Sequence, residues 1–185
     1  IMTYKARALL REESMFDKHL IAANEGARIL VEDTAQYTAS LRSLPSDQRS
    51  LLLPRALDAA LLRFQTTGDV QSANDAVSAA CISESERLDS ELSMIRYITW
   101  AIPSIGFIGT VRGIGGALAQ AHEAMEGDLA GITSSLGVAF NSTFVALLIS
   151  MFVMFFMHQL QLMQERLVLD TQGYCEQNLL RFLKS

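Results

Sequence analysis

Two long runs of apolar positions interrupt a chain in which hydrophobic and polar residues otherwise alternate at helical spacing. The first run extends from Ile98 to Ala121 and holds one charged residue, Arg112, and the second extends from Ile132 to Met157 and holds none. About 20 apolar residues, at ~1.5 Å each along a helix, cross the hydrocarbon core of a bilayer. Both runs therefore predict transmembrane helices. The alternative, two core helices of a soluble bundle, would require the second run to be buried on every side.

The region before the first run has the pattern of soluble helices. We predict helices over Thr3–Asn24 and Glu25–Leu41, a turn at Leu44–Asp47, and a further helix ending near Phe64. Thr67-Gly68-Asp69 is typical of a helix stop followed by an N-cap. From Asp69, helical spacing of apolar residues continues into the first apolar run, which predicts one helix of more than ~40 residues. The residues that carry this pattern are Val77, Cys81, Leu88, Leu92 and Ile95.

Charge divides the chain in the same way. Of the 15 basic residues, 11 precede Ile98, and of the 20 acidic residues, 14 precede it. The formal net charge is −5. The connection between the apolar runs contains no Lys or Arg, whereas arginines lie outside their other ends, so the positive-inside rule places the connection outside and both flanks in the cytoplasm. We predict a cytoplasmic helical region at 1–97, a transmembrane helix at 98–121, a short extracytoplasmic loop at 122–131, a second transmembrane helix at 132–157, and a cytoplasmic helical tail at 158–185.

Composition excludes several classes of function. The acidic balance argues against a nucleic-acid-binding protein, because no basic patch exists to neutralise phosphates. Cys81 and Cys175 are too few for a disulfide framework or a four-cysteine zinc site, and His19, His122 and His158 lack ligand spacing. With no nucleophile, general base or metal cluster, we expect neither an enzyme nor a bound cofactor or metal.

Small residues share one face of each predicted membrane helix, at ~100° per residue. In lipid, such faces let helices approach closely. Two interpretations stay open: ordinary packing within the chain, and a mobile interface or pore lining, which the number of glycines in the first helix favours. Asn141 lies on the opposite side of the second helix, where we expect it to hydrogen-bond a neighbouring helix. The residues of the predicted packing or pore faces are Pro103, Gly106, Gly109, Gly113, Gly116, Ala139, Ala146 and Ser150.

Neither predicted membrane helix contains a carboxylate or a histidine. Hydroxyl groups, such as those of Thr110 and Thr143 on the small-residue faces, do not titrate near neutral pH. If protons cross the membrane here, the titrating group therefore belongs to a partner protein.

Two segments carry a resemblance to a known family. Residues 103–114, PSIGFIGTVRGI, and residues 136–147, LGVAFNSTFVAL, resemble the patterns of the last two membrane helices of the MotA/TolQ/ExbB proton channel family. The resemblance covers roughly residues 69–160. Three features differ: two membrane helices instead of three or four, Val138 where the ExbB and TolQ branches have glutamate, and Arg112 where an aromatic or aliphatic residue is usual.

The resemblance implies an all-α membrane protein in a bacterial inner membrane, built from long helices and assembled as a homopentamer. The pentamer would surround a dimeric, single-helix partner of the MotB, TolR or ExbD type that carries an intramembrane aspartate. Thr110 and Thr143 fall on the two pore threonines of the family and are the predicted ion pathway for protons or sodium ions. The resemblance also predicts at least one further membrane helix before Ile1.

The leading hypothesis is a subunit of a motor that converts ion-motive force into mechanical work on a partner. The alternative is a non-conducting pentameric scaffold that holds the single-helix partner. The sequence leaves open whether the load is uptake, protein transport, envelope maintenance, flagellar torque, gliding or defence. For Arg112 two interpretations compete: its side chain reaches toward the outer lipid headgroups, or it tunes proton capture by lowering the pKa of the partner's aspartate.

Overall fold

The structure is a computed structural model that describes residues 2–16, 20, 29–125 and 127–184. Among these residues every secondary-structure element is a helix, which confirms the predicted all-α fold. An isolated β-bridge joins Ile29 to Leu183. The helices are α1 (Met2–Glu13), α2 (Thr34–Arg42), α3 (Ser46–Arg49), α4 (Leu52–Thr67), α5 (Val70–Ala119), α6 (Ala121–Met125) and α7 (Ala130–Asn178), followed by a 3-10 helix (Leu180–Phe182).

Contacts divide the chain into two compact units. One contains residues 1–90 and 160–185, and the other contains residues 91–159. The two longest helices, α5 and α7, contribute to both units.

The first unit has its own hydrophobic core. One face of α4 is fully buried there, around Leu57, Leu61 and Phe64, because apolar residues recur along it at helical spacing. The core also takes apolar side chains from the beginning of α5 and from the end of α7, including Val77 and Cys175. All five residues that carried the predicted pattern along α5 are buried.

The junction between α4 and α5 matches the predicted stop and N-cap. Gly68 has φ of 65°, a left-handed conformation that glycine adopts without steric cost, and its N–H donates to the Phe64 carbonyl at 2.8 Å. The Asp69 carboxylate accepts hydrogen bonds from the backbone N–H groups of Gln71 (3.2 Å) and Ser72 (2.8 Å). The Ser72 hydroxyl also donates to this carboxylate, at 2.7 Å, and is the largest cause of the lowered pKa of Asp69, followed by the backbone bonds. The backbone bonds satisfy donors that the first turn of α5 leaves unpaired.

The two predicted N-terminal helices are shorter in the structure. The helix predicted over Thr3–Asn24 ends at Glu13, and the one predicted over Glu25–Leu41 begins only at Thr34; residues 17–19 and 21–28 lie outside the described residues. Ile29 instead pairs with the C-terminal segment: its N–H donates to the Phe182 carbonyl at 2.9 Å, and its carbonyl accepts from Lys184 at 3.2 Å. Tertiary pairing thus overrides local helix propensity.

The second unit is a helical hairpin with the hydropathy of a membrane protein. Both α5 and α7 are long and apolar enough to cross a membrane, with mean hydropathy of 1.3 and 2.1 over their most apolar segments. Only 11% of each of those segments is buried within the chain. A core helix of a soluble bundle would be mostly buried, so the exposure of these apolar segments argues against the soluble alternative.

Candidate ion-pathway site between the membrane helices

The two membrane helices pack through backbone and small side chains. A Cβ atom added at Gly106 would lie 2.6 Å from Ala146 Cβ, and one added at Gly113 would lie 2.5 Å from Ala139 Cβ. Real Cβ atoms do not approach so closely, so only glycine allows this separation of α5 and α7. The predicted small faces of α5 and α7 therefore pack against each other within the chain.

At the other two predicted glycines of α5, the atoms nearest to an added Cβ belong to serine side chains. A Cβ at Gly109 would meet the Ser142 side chain at 2.5 Å, and one at Gly116 would lie 3.7 Å from Ser135 Oγ. Gly115, which was not part of the predicted face, has no atom within 4 Å of the Cβ position. The close contact between the helices thus becomes looser from Gly113 toward Gly116.

Thr110 and Thr143 meet in the middle of this interface. Their Oγ1 atoms form a hydrogen bond with each other, and Thr143 Oγ1 also donates to the Gly106 carbonyl at 2.9 Å. Thr110 Oγ1 lies 3.3 Å from the Ala139 carbonyl and 3.4 Å from the Gly106 carbonyl. Both side chains are partly buried. The two predicted ion-pathway residues are thus in direct contact, although they are 33 positions apart in sequence.

The number of hydroxyl hydrogen atoms decides which threonine donates in the hydrogen bond between Thr110 and Thr143. Each hydroxyl has one O–H donor and two acceptor lone pairs. If the Thr143 hydrogen is used on the Gly106 carbonyl, the Thr110 hydrogen is the one left for the bond between the two hydroxyls. Thr110 Oγ1 then keeps its own lone pairs for a donor from outside the pair.

The Ser150 hydroxyl and the Thr99 carbonyl form a second polar contact between the helices. Proline has no N–H, so Pro103 leaves the Thr99 carbonyl, four residues earlier in α5, without its helical donor. Ser150 Oγ donates to that carbonyl at 3.3 Å from a buried position on α7. The proline is therefore accommodated by a hydroxyl on the neighbouring helix, as apolar surroundings require.

Two polar residues of the membrane segments, Arg112 and Asn141, face away from this interface. Arg112 and Asn141 are exposed on the chain, and neither has an ion pair or hydrogen bond with any residue that the structure describes. The bulky side of α5 is also exposed, and Trp100 at 75% and Leu118 at 71% are its most accessible residues. These surfaces are open to lipid, to another subunit or to a partner.

Sequence reasoning missed several members of the interface. The Thr99 carbonyl accepts a hydrogen bond from Ser150 on α7, and the Ser142 side chain packs against Gly109. The Ala139 carbonyl lies 3.3 Å from Thr110 Oγ1. Backbone carbonyls carry no sequence signal, and only the proline at position 103 pointed to an unpaired group on α5. Among the described residues, no cluster of histidine, cysteine and acidic side chains could hold a metal ion.

The arrangement defines the chain as an all-helical membrane protein with two candidate spans, packed through glycine and joined by hydroxyl hydrogen bonds. It belongs to the MotA/TolQ/ExbB proton channel family, whose sequence model matches residues 48–172. The match extends beyond both membrane segments into the first unit, and it confirms the resemblance drawn from residues 103–114 and 136–147. The family is one of channels and not a class of enzymes. Neither the curated proteins nor the solved structures include a significant match to the chain.

Proposed function

We propose that the chain is the channel-forming subunit of an ion-driven motor in a bacterial inner membrane. The observation that carries the proposal is the contact of Thr110 and Thr143 between the closely packed faces of α5 and α7. These hydroxyls can pass hydrogen bonds along but cannot hold a charge near neutral pH. A carboxylate from a single-helix partner of the MotB, TolR or ExbD type supplies the titrating group, and protons or sodium ions are transported.

The energy available from ion flow is sufficient for a motor step. One charge crossing ~150 mV releases about 3.5 kcal/mol, at ~2.3 kcal/mol per 100 mV. The connection between α5 and α7 is extracytoplasmic and the first unit is cytoplasmic. The positive-inside rule gives this orientation, because arginines flank the two spans only at the ends away from the connection.

The exposed groups of the membrane segments support assembly of several copies, for which we propose a pentamer. Asn141 presents an amide on the surface of an apolar helix, and an unpaired amide in hydrocarbon is unfavourable. A neighbouring subunit would supply its hydrogen-bond partner. Gly137, one turn before Asn141, has no atom within 4 Å of its Cβ position, which allows another helix to approach this side of α7.

Ion flux in vesicles tests the proposal. The chain is reconstituted with its single-helix partner, and flux is compared between the unmodified protein and the Thr110→Val and Thr143→Val variants. Valine keeps the shape of threonine but removes the hydroxyl, so we expect partner-dependent flux to be lost while the oligomer stays assembled. Thr133→Val is the matched control, because among the described residues its hydroxyl bonds only to the carbonyl of Leu129, just before α7, at 2.9 Å.

The scaffold hypothesis makes the opposite prediction. A non-conducting pentamer would show no partner-dependent flux in any form, and biological function would survive the loss of both hydroxyls. Normal function in the Thr110→Val/Thr143→Val double variant would therefore reject the motor in favour of the scaffold.

Arg112 is proposed to tune proton capture by the partner's aspartate. A nearby positive charge lowers the pKa of a carboxyl group, so Arg112 would keep the aspartate ionised until a proton arrives. Arg112→Trp is then expected to shift the pH dependence of flux. If the substitution changes only expression and the pH profile is unmoved, Arg112 instead reaches toward the lipid headgroups.

A further inference from the structure

A small cavity in the first unit combines three basic side chains with one acidic side chain. It lies where α2, α3 and α4 meet, far in sequence from the membrane segments, and has a volume of about 160 Å³. Its charged lining consists of Arg42, Arg49, Arg55 and Asp58, and Leu41 and Pro54 complete it. This concentration of positive charge stands out in a chain whose net charge is −5.

Two of the three arginines of the cavity form no ion pair among the residues that the structure describes. Arg55 shares the Glu84 carboxylate with Arg87, through a bond of 3.2 Å from its Nη1 atom. Arg42 and Arg49 form no ion pair with any residue that the structure describes. The cavity therefore has unused guanidinium donors, which bind phosphate oxygens in the paired geometry that this planar group favours.

Asp58 gives the cavity a second, different requirement. Its Oδ1 atom is buried and has no hydrogen-bond partner among the described residues, although three arginines line the same cavity. An ionised carboxylate can only accept hydrogen bonds, and a buried acceptor without a donor is unfavourable. A ligand that brings negative charge for the arginines and an O–H donor for the Asp58 carboxylate would meet both requirements.

We propose that this cavity binds a phosphate group that retains one O–H, such as monohydrogen phosphate. Its charged oxygens accept from Arg42 and Arg49, and its O–H donates to Asp58. Sulfate has the same shape and charge but no O–H at neutral pH, and an ionised carboxylate ligand also lacks this donor. The cavity should therefore distinguish phosphate from sulfate.

A neighbouring cavity extends the site on one side. It has a volume of about 450 Å³ and shares Arg42, with Ala35, Ala39, Ser43 and Gln65 among its other lining residues. A phosphate carried by a larger molecule would have room there, so the same chemistry could come from free phosphate or from the headgroup of phosphatidic acid.

Calorimetric titration of the full chain at neutral pH and constant ionic strength tests the proposal. The chain is held in phosphatidylcholine nanodiscs, and inorganic phosphate and sodium sulfate are the probes. We expect phosphate to bind at least about tenfold more tightly than sulfate, since hydrogen bonds to charged groups carry this discrimination. Equal binding of the two anions, or no binding of phosphate, would overturn the proposal.

Variants assign the binding to this cavity. Arg49→Gln should weaken phosphate binding about tenfold or more, whereas Arg63→Gln, an exposed arginine on α4 outside the cavity, should leave it unchanged. Asp58→Asn replaces an acceptor by an amide that can also donate, so phosphate and sulfate should then bind alike. If Asp58→Asn does not fold, Arg42→Gln at an exposed position provides the second measurement. Equal weakening by Arg63→Gln would show non-specific attraction and reject the site.

A lipid arm identifies the source of the phosphate. In nanodiscs that contain phosphatidic acid, loss of the calorimetric signal for free phosphate would assign the site to the lipid headgroup, and an unchanged signal would assign it to free phosphate. None of these measurements involves ion flux, so failure of this proposal leaves the proposed channel function untouched, and the reverse is also true.

Discussion

Replacing Gly113 by alanine is expected to destabilise the packing of the two membrane helices, whereas the same change at Gly115 is not. A Cβ atom at Gly113 would lie 2.5 Å from Ala139 Cβ, 2.9 Å from Ala139 Cα and 3.0 Å from the Ser135 carbonyl oxygen. Comfortable contacts between carbon atoms are about 3.5–4.0 Å, so α5 and α7 must separate by roughly 1 Å. Two of the three obstructing atoms are backbone, so no side-chain rotation can relieve the clash.

The magnitude follows from two opposing effects. Inserting a methyl group into a well-packed contact costs about 1–3 kcal/mol, and replacing glycine by alanine inside a helix stabilises it by up to about 1 kcal/mol. Gly115→Ala receives only the second effect, because its Cβ position has no neighbour within 4 Å. The difference between the two variants therefore isolates the clash, and we expect about 1–3 kcal/mol in the free energy of unfolding.

Unfolding in mixed micelles of increasing dodecyl sulfate content measures this difference. Dyes at introduced cysteines in place of Leu118 on α5 and Thr133 on α7, both exposed, report separation of the helices by energy transfer. The native thiols should interfere little, since Cys81 and Cys175 are buried and burial raises the pKa of the Cys175 thiol to about 12.

The ranking of the variants makes the test strict. Gly109→Ala should fall between the other two, because its close neighbour is the Ser142 side chain, which can rotate away. If Gly113→Ala and Gly115→Ala unfold at the same dodecyl sulfate content, the close approach of α5 and α7 described here is wrong.

Three further predictions concern other parts of the chain. Burial raises the pKa of Glu12, so the folded state favours its protonated form. The free energy of unfolding should therefore fall as the pH rises from the ordinary glutamate pKa through the raised pKa of the folded state. Glu12→Gln should flatten this dependence in thermal melts at a series of pH values. Ser150→Ala should cost about 0.6–1.7 kcal/mol by removing the donor to the Thr99 carbonyl, but much less after Pro103→Ala restores the helical N–H, and a double-mutant cycle in the dodecyl sulfate assay measures this coupling. Asn141→Leu should shift the oligomer toward smaller species without unfolding the chain, as read by native mass spectrometry, and an unchanged mass would remove the argument for an intersubunit role of this amide.

Local signals determined the element types over most of the chain. The two apolar runs, the stop and N-cap at Gly68 and Asp69, and the continuous pattern from there along α5 depend on residues within a few turns of one another. Helix formation, capping and membrane-length hydropathy are local properties, so a single sequence reveals them. The failure at Ile29 has the complementary cause, since its backbone partners lie more than 150 residues later.

The sequence by itself determined that α5 and α7 each carry a small-residue face, with Thr110 and Thr143 on those faces. Only the tertiary structure decided that the two faces meet each other and that Gly113 is tightly packed while Gly115 is open. It also decided that Ser150 donates a hydrogen bond to the Thr99 carbonyl, which Pro103 leaves without a helical donor. Helical periodicity specifies which residues share a side of one helix, because it follows from the backbone alone. The rotation and axial register of one helix against another depend on contacts between residues 19 or more positions apart, such as Gly116 and Ser135, and no local pattern encodes them.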